Sequence, residues 1–233
     1  MAYSGENIIE KVNAALMNPA TLCAEPFVNY RGSFGGVRYT ETAAREISRP
    51  KNLAAFCGMS TISREKSYKT ESHKELANRI KPENSNRDEE WIAISMYGKT
   101  FDGIGEIIDF QTPLKNTAND RAGKIDLLSF NKAENVAFTF EFKKPGNKDT
   151  LLHCVLQSYT NGEIVDGDKL LRDFCIEGAE LRKAVLIFKS CAAYAEFLDD
   201  DFEAVRSIMR DILHVDLFVL NDDWSEVIDG YIH

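Results

Sequence analysis

The chain predicts an α/β fold in which a mixed β-sheet carries helices on its faces. Three observations predict it. Segments with strand-like hydrophobic patterning at residues 106–111, 124–130 and 136–144 follow one another through short connections. Two further apolar runs, 183–189 and 215–220, are each preceded by a helical stretch long enough to cross over a sheet. The 44% hydrophobic content of the 233 residues is enough to bury a core. Three closely linked strands followed by helix–strand pairs imply both antiparallel and parallel neighbours.

The elements before the sheet are helical and loop-rich. Ile8, Ile9, Val12, Ala15 and Leu16 recur at helical spacing and are stopped by Asn18-Pro19. Residues 30–39 read as a glycine-rich turn with flanking strands. Their alternating aromatics and arginines also suit a platform on which bases stack. Ser72-His73-Lys74-Glu75 fits a capping box, and the helix it opens is expected to end near Pro82. The polar stretch 81–86 separates a mostly helical N-terminal extension, residues 1–82, from a second domain, residues 83–233. That domain begins with a helix at 88–97. Its first strand is ended by Pro113 and its third by Pro145-Gly146, with a polar turn at 131–135 between the second and third. A helix at 149–161 closes on Asn161-Gly162. Residues 192–212 read as one amphipathic helix with Phe197, Phe202 and Val205 as core contacts.

Composition narrows the function classes. The chain carries 28 Lys and Arg against 37 Asp and Glu, a formal charge of −9. The imbalance is local. Between residues 196 and 229 eleven acids stand against Arg206 and Arg210 alone, whereas residues 115–148 hold seven bases and four acids. A phosphate-bearing partner could be received by the middle of the chain while the acidic tail faces elsewhere. The longest aliphatic and aromatic run, Ala184 to Phe188, is five residues, against about twenty needed to span a bilayer, so no membrane partner is expected. The N-terminus shows no basic stretch followed by an apolar core, and Cys23, Cys57, Cys154, Cys175 and Cys191 are odd in number and widely spaced. Free thiols in a reducing cytoplasm are expected, not a disulfide framework or a zinc site. Gly-Ser-Phe-Gly-Gly lacks the Lys-Ser/Thr of a P-loop, and Asp102-Gly103-Ile104-Gly105 lacks the third glycine of a dinucleotide fingerprint. His73, His153, His214 and His233 show no ligand spacing.

The strand at 136–144 carries the chemistry. Val136, Phe138, Phe140 and Phe142 alternate onto one face, and Ala137, Thr139, Glu141 and Lys143 onto the other. A carboxylate and an ammonium thus sit about 6–7 Å apart along a strand expected to be half-buried. Asp126, on the preceding strand, can lie beside Glu141 through the hairpin. Two carboxylates held together repel, and a divalent cation relieves the repulsion. Oxygen donors of this kind suit Mg²⁺ or Mn²⁺. Read alone, Glu141 and Lys143 are an ordinary salt bridge worth little, and Asp126 a turn-proximal acid. Their placement on strands in this order favours the metal site.

Gly-x-x-Asp at Gly123 to Asp126, Glu141-x-Lys143 one hairpin later, and Gln157 on the next helix resemble the PD-(D/E)XK nuclease superfamily, over roughly residues 88–220. Ile125 stands where the family's name has proline. The resemblance implies a restriction-endonuclease-like core and a Mg²⁺-dependent phosphodiesterase, with Mn²⁺ as a substitute, acting on nucleic acid with DNA ahead of RNA. By it, Asp126 and Glu141 are metal ligands and the Phe142 carbonyl a third. Lys143 orients or helps deprotonate the attacking water and steadies charge growing on the phosphate. Glu90 is the expected acid on the helix before the sheet, with Glu89 close behind it. Gln157, on the polar helix face with His153 and Asn161, completes the set. The four-cysteine iron–sulfur cluster of some relatives is not expected, because the cysteines lack close spacing. The alternative is a catalytically inactive module of the same fold that binds nucleic acid or a protein partner. A third reading makes Arg31 and Arg38, in the 30–39 segment, the main nucleic-acid contact.

Overall fold

The computed structural model describes residues 4–56, 59–114 and 123–233; Cys57, and Lys115, Asp120 and Arg121 of the basic stretch, lie outside them. The chain opens with α1 (Gly5–Ala15), capped by Ser4, whose hydroxyl accepts from the Asn7 N–H at 3.1 Å. Two 3-10 turns, Pro19–Ala24 and Pro26–Asn29, lead to a hairpin of β1 (Ser33–Phe34) and β2 (Val37–Arg38). Helices α2 (Tyr39–Ile47), α3 (Pro50–Leu53), α4 (Ser72–Leu76) and α5 (Asp88–Met96) follow. Ile8, Val12, Leu22, Phe27 and Ile47 are buried in one apolar cluster with residues of the central strands, so the N-terminal helices share their core with the sheet.

That sheet is mixed and has seven strands, ordered β3 (Thr100–Phe101), β4 (Gly105–Pro113), β5 (Lys124–Asn131), β6 (Val136–Phe142), β7 (Glu180–Phe188), β8 (Val215–Leu220) and β9 (Val227–Tyr231). Neighbours from β3 to β6 are antiparallel, β6–β7 and β7–β8 are parallel, and β9 returns antiparallel. Parallel neighbours need crossovers. The first is α6 (Leu151–Ile164) with α7 (Gly167–Asp173), the second α8 (Ala192–Leu198) with α9 (Glu203–Ser207).

Strand β6 shows what holds the sheet. Phe138 and Phe140 meet Phe218 edge-on at 5.2 and 5.8 Å, and Phe142 meets Phe188 at 5.8 Å. Burying each ring contributes about 1.5–3 kcal/mol. The opposite face, expected to be half-buried, is covered as well, and all seven residues are buried. Helix α6 packs on β6, and α7, which the sequence reading missed, lays Leu171 against Ala137 at its start.

Other boundaries differ for local reasons. Helix α6 runs through Asn161-Gly162 to Ile164. Gly162 supplies space, since a Cβ there would lie 2.3 Å from Cγ of Lys183 on β7. The expected helix over 192–212 breaks where the Asp199 side chain accepts from the Asp201 N–H at 3.0 Å and starts the 3-10 turn Asp200–Phe202. Phe202 and Val205 remain core residues. In α4 the cap position is Glu71, not Ser72, and no side chain caps it. The helix ends at Leu76, short of Pro82, with His73 drawn onto β4: its Nδ1 lies 2.7 Å from Asp109 and its ring stacks on Phe110 at 4.5 Å. The acidic segment does not face solvent as a whole, because Asp216 and Glu196 are buried. Cys23, Cys154, Cys175 and Cys191 are free thiols. Among the described residues no helix is long and apolar enough to cross a membrane.

Candidate active site

The register of the meander gathers the polar residues. Leu127 of β5 pairs with Phe140 on one side and Phe110 on the other. One step along, the same register sets Asp126 between Gln111 and Glu141. These three form a single rung across β4, β5 and β6, with neighbouring side chains rooted about 5 Å apart. Asp126 accepts at Oδ1 from Gln111 Nε2 (3.1 Å) and at Oδ2 from the Phe142 N–H (3.1 Å). Gln111 holds φ at +50°, a left-handed conformation uncommon for a long side chain and a cost on the order of 1 kcal/mol or more located at this rung.

Lys143 follows at the end of β6. Its Nζ donates to Glu141 Oε1 at 2.6 Å and to Gln157 Oε1, on α6, at 3.4 Å, and lies 3.4 Å from Asp149 Oδ2. Asp149 is fixed from the N-terminal segment by Asn29, whose Nδ2 donates to it at 2.8 Å. From the other side α5 brings Glu89, which accepts the Lys144 N–H at 3.0 Å. The walls enclose an open cleft of about 490 Å³.

The electrostatics are frustrated. Five acids (Asp88, Glu89, Glu90, Asp126, Glu141) and four bases (Arg87, Lys124, Lys143, Lys144) line the cleft. Burial pushes the Asp126 carboxyl up, and it pushes Glu141 well up, with the Asp126 charge adding to the effect. Glu89 is raised by burial too, again with a contribution from Asp126. Burial works against the Lys143 ammonium, but Glu141 beside it holds its pKa above the ordinary lysine range. His153, Asn29 and Lys143 keep Asp149 well below the usual carboxylate range.

Two oxygens in this rung, Glu141 Oε2 and Gln111 Oε1, are buried without a hydrogen-bond partner among the described residues. An unmatched buried acceptor costs about 1–3 kcal/mol. Together with Asp126 they offer a hard, all-oxygen donor set of the kind Mg²⁺ takes. Asp126 and Glu141 could hold such an ion. The Phe142 carbonyl could join them, because a strand residue directs its carbonyl to the same neighbour as its N–H, here β5. Among the described residues no group of three or more His, Cys, Asp or Glu is gathered to hold an ion unaided; Lys143 bridges Glu141, and both Lys143 and Lys124 act on Asp126.

Four expected site residues, Asp126, Glu141, Lys143 and Gln157, therefore meet in one place. Glu90 lines the same cleft but forms an ion pair with Arg87. Glu89 is the acid coupled to Asp126 and Lys143, and thus the stronger candidate on α5. Sequence reasoning missed Gln111 and Asp149. No pattern marks Gln111, whereas Asp149 directly precedes the α6 cap Thr150, a signal that was legible. Arg31 and Arg38 lie elsewhere, in a pocket of about 140 Å³ with Tyr30, Glu196 and Phe202.

No family model, curated protein or solved structure matches the chain at a significant level.

Proposed function

We propose that the protein is a divalent-metal-dependent nuclease with a restriction-endonuclease-like core, hydrolysing phosphodiester bonds with DNA the favoured polymer. The observation that carries this reading is the rung itself: Asp126 opposite Glu141, with a buried, unpartnered Glu141 oxygen and Lys143 at the strand end. The order of α5, the antiparallel strands β3 to β6, the crossover α6–α7 and the parallel strand β7 supports it.

Each residue then has a role. Asp126 and Glu141 contribute oxygens to the cation, which when bound supplies Lewis acidity and a lowered pKa for water. Gln111 and the Phe142 N–H fix the Asp126 carboxylate. Lys143 is held as an ammonium by Glu141 and Asp149, so it donates rather than accepts a proton and steadies charge growing on a phosphate oxygen. Gln157 holds the Lys143 Nζ from the α6 side. Lys124, Lys144 and Arg87 attract the polyanionic backbone, and cation binding offsets the acid excess that would otherwise repel it.

The alternative reading, a module that binds without hydrolysing, draws on the short Lys143–Glu141 bridge, which already neutralises one carboxylate. Cleavage assays on DNA and RNA with Mg²⁺ or Mn²⁺ separate the two. Wild type is expected to cut, and Asp126→Ala and Lys143→Ala to lose about 10²–10³-fold or more in rate. Equal rates in all three proteins would reject the nuclease.

A further inference from the structure

The chain has two tryptophans, and both line one groove. Trp91 of α5 and Trp224 of the β8–β9 turn stand with Ile92 and Pro145 around about 420 Å³, and Lys81 and Lys144 sit at its rim. That volume falls in the range of ligand clefts, about 300–1,000 Å³. The groove adjoins the candidate active site, since Asp88 and Lys144 line both. Consecutive residues at the end of β6 serve the two spaces: Lys143 lines the cleft and the Lys144 side chain reaches the groove.

Three features fit this groove for a nucleobase. Its walls are aromatic and apolar, which suits a flat π-face. Its rim carries an excess positive charge, because Asp88 bridges both lysines, at 2.5 Å from Lys81 Nζ and 3.0 Å from Lys144 Nζ, and neutralises only one. Its position places a base beside the site where a phosphodiester of the same strand would be cut.

Trp224 is held there at a cost. It adopts φ +63°, a region that bulky residues rarely occupy. A tight turn enforces it: the Trp224 N–H donates to Asn221 O at 3.1 Å, and the Asn221 side chain accepts the Ser225 N–H at 2.9 Å and donates to Ser225 Oγ at 2.6 Å. Phe188 lies tilted 6.4 Å from the indole and Lys99 Nζ 5.1 Å from its centre. Trp91 is fixed through Nε1, which donates to Ser85 Oγ at 3.1 Å.

We propose that the Trp91–Trp224 groove takes an unpaired nucleobase of the strand lying in the neighbouring cleft, so that the substrate is single-stranded or locally opened nucleic acid. A base seated in a groove lined by both indoles cannot at the same time be paired and stacked in a duplex. The proposal rests on the nuclease reading for its biological meaning, but its binding claim is independent of catalysis.

Intrinsic tryptophan fluorescence reports on the groove without a label. Oligo(dU), oligo(U) and a blunt duplex of equal length are titrated into the full chain, in EDTA and again in Ca²⁺. Saturable quenching by a single strand in either condition, with none by the duplex, is the expected result. Which single strand quenches more strongly identifies the preferred sugar. Trp224→Ala, followed through Trp91, is expected to weaken single-strand binding about tenfold, the scale of one lost stacking contact. Trp224→Phe is expected to retain most of the affinity, which controls for folding. Equal quenching by duplex and single strand, no quenching by any of them, or wild-type affinity in Trp224→Ala, overturns the proposal. Quenching without any cleavage in Mg²⁺ or Mn²⁺ would retain the groove and remove the nuclease; cleavage of single strands unaffected by Trp224→Ala would do the reverse.

Discussion

Replacing Asp126 by asparagine should stabilise the protein in the absence of divalent cations, the opposite of what loss of an ordinary buried ion-pair partner does. The carboxylate is 9% exposed and faces Glu141, itself 2% exposed, across a rung. Two unit charges about 5 Å apart at an effective dielectric near 20 repel by about 3 kcal/mol. Attraction to Lys143, farther from Asp126 than from Glu141, and to Lys124 offsets part of this and leaves a net repulsion on the order of 1–2 kcal/mol. The side-chain amide of the Asp126→Asn variant keeps an acceptor for the Phe142 N–H. Its new N–H donor can use the unpartnered Gln111 Oε1 once that side chain flips, so no hydrogen bond is lost. For a chain of this length each kcal/mol moves Tm by about 2–4 °C, which predicts a rise of about 2–8 °C for the variant in EDTA at mildly alkaline pH. Mg²⁺ should raise the wild-type Tm and leave Asp126→Asn nearly unmoved. A fall in Tm for the variant, or an equal Mg²⁺ response in both proteins, would refute the reasoning.

Three further outcomes are expected. Glu89→Gln should reduce Mn²⁺-supported cleavage at least tenfold, and Glu90→Gln by less than about threefold, because only Glu89 is coupled to the buried pair; initial rates on labelled DNA decide it. Glu196 is buried, accepts the Leu151 N–H at 2.8 Å and has its pKa pushed up by that burial from 4.5 to about 7. Its contribution to stability is fully present below pH 4.5 and lost as pH rises through about 7, by up to about 3 kcal/mol, so Glu196→Gln should flatten the Tm–pH profile in that window. Gly105→Ala should destabilise by about 2–4 kcal/mol in denaturant titration, since Gly105 sits at φ +82° and a Cβ would fall 2.3 Å from the Phe130 carbonyl oxygen.

Much of the sheet was legible because its strands announce themselves. The alternation of Val136 to Phe142 and the apolar runs of β7 and β8 are strong signals, and Asp126, Glu141 and Lys143 follow from the strands that carry them. The shorter elements gave weaker signals. Helix α7 shows a single apolar pair, Leu170-Leu171, and β9 is a partly exposed edge strand containing Gly230. Gly162 reads locally as a stop signal, although its meaning is set by Lys183 on a strand farther along the chain. The choice between Glu89 and Glu90 depends on the rotation of α5 against β6, which three consecutive acids at a helix start do not encode. Gln111 belongs to the site only through sheet register, a long-range property no local pattern reports.

The claim on which the functional reading depends is that Asp126 and Glu141 exist as a pair to hold a cation. Calorimetric titration of Mn²⁺ into wild type and Glu141→Gln, without nucleic acid, tests it most directly. A saturable one-site isotherm in wild type, weakened at least tenfold in the variant, is the predicted result. Identical isotherms in the two proteins, or no binding heat in wild type, would contradict it.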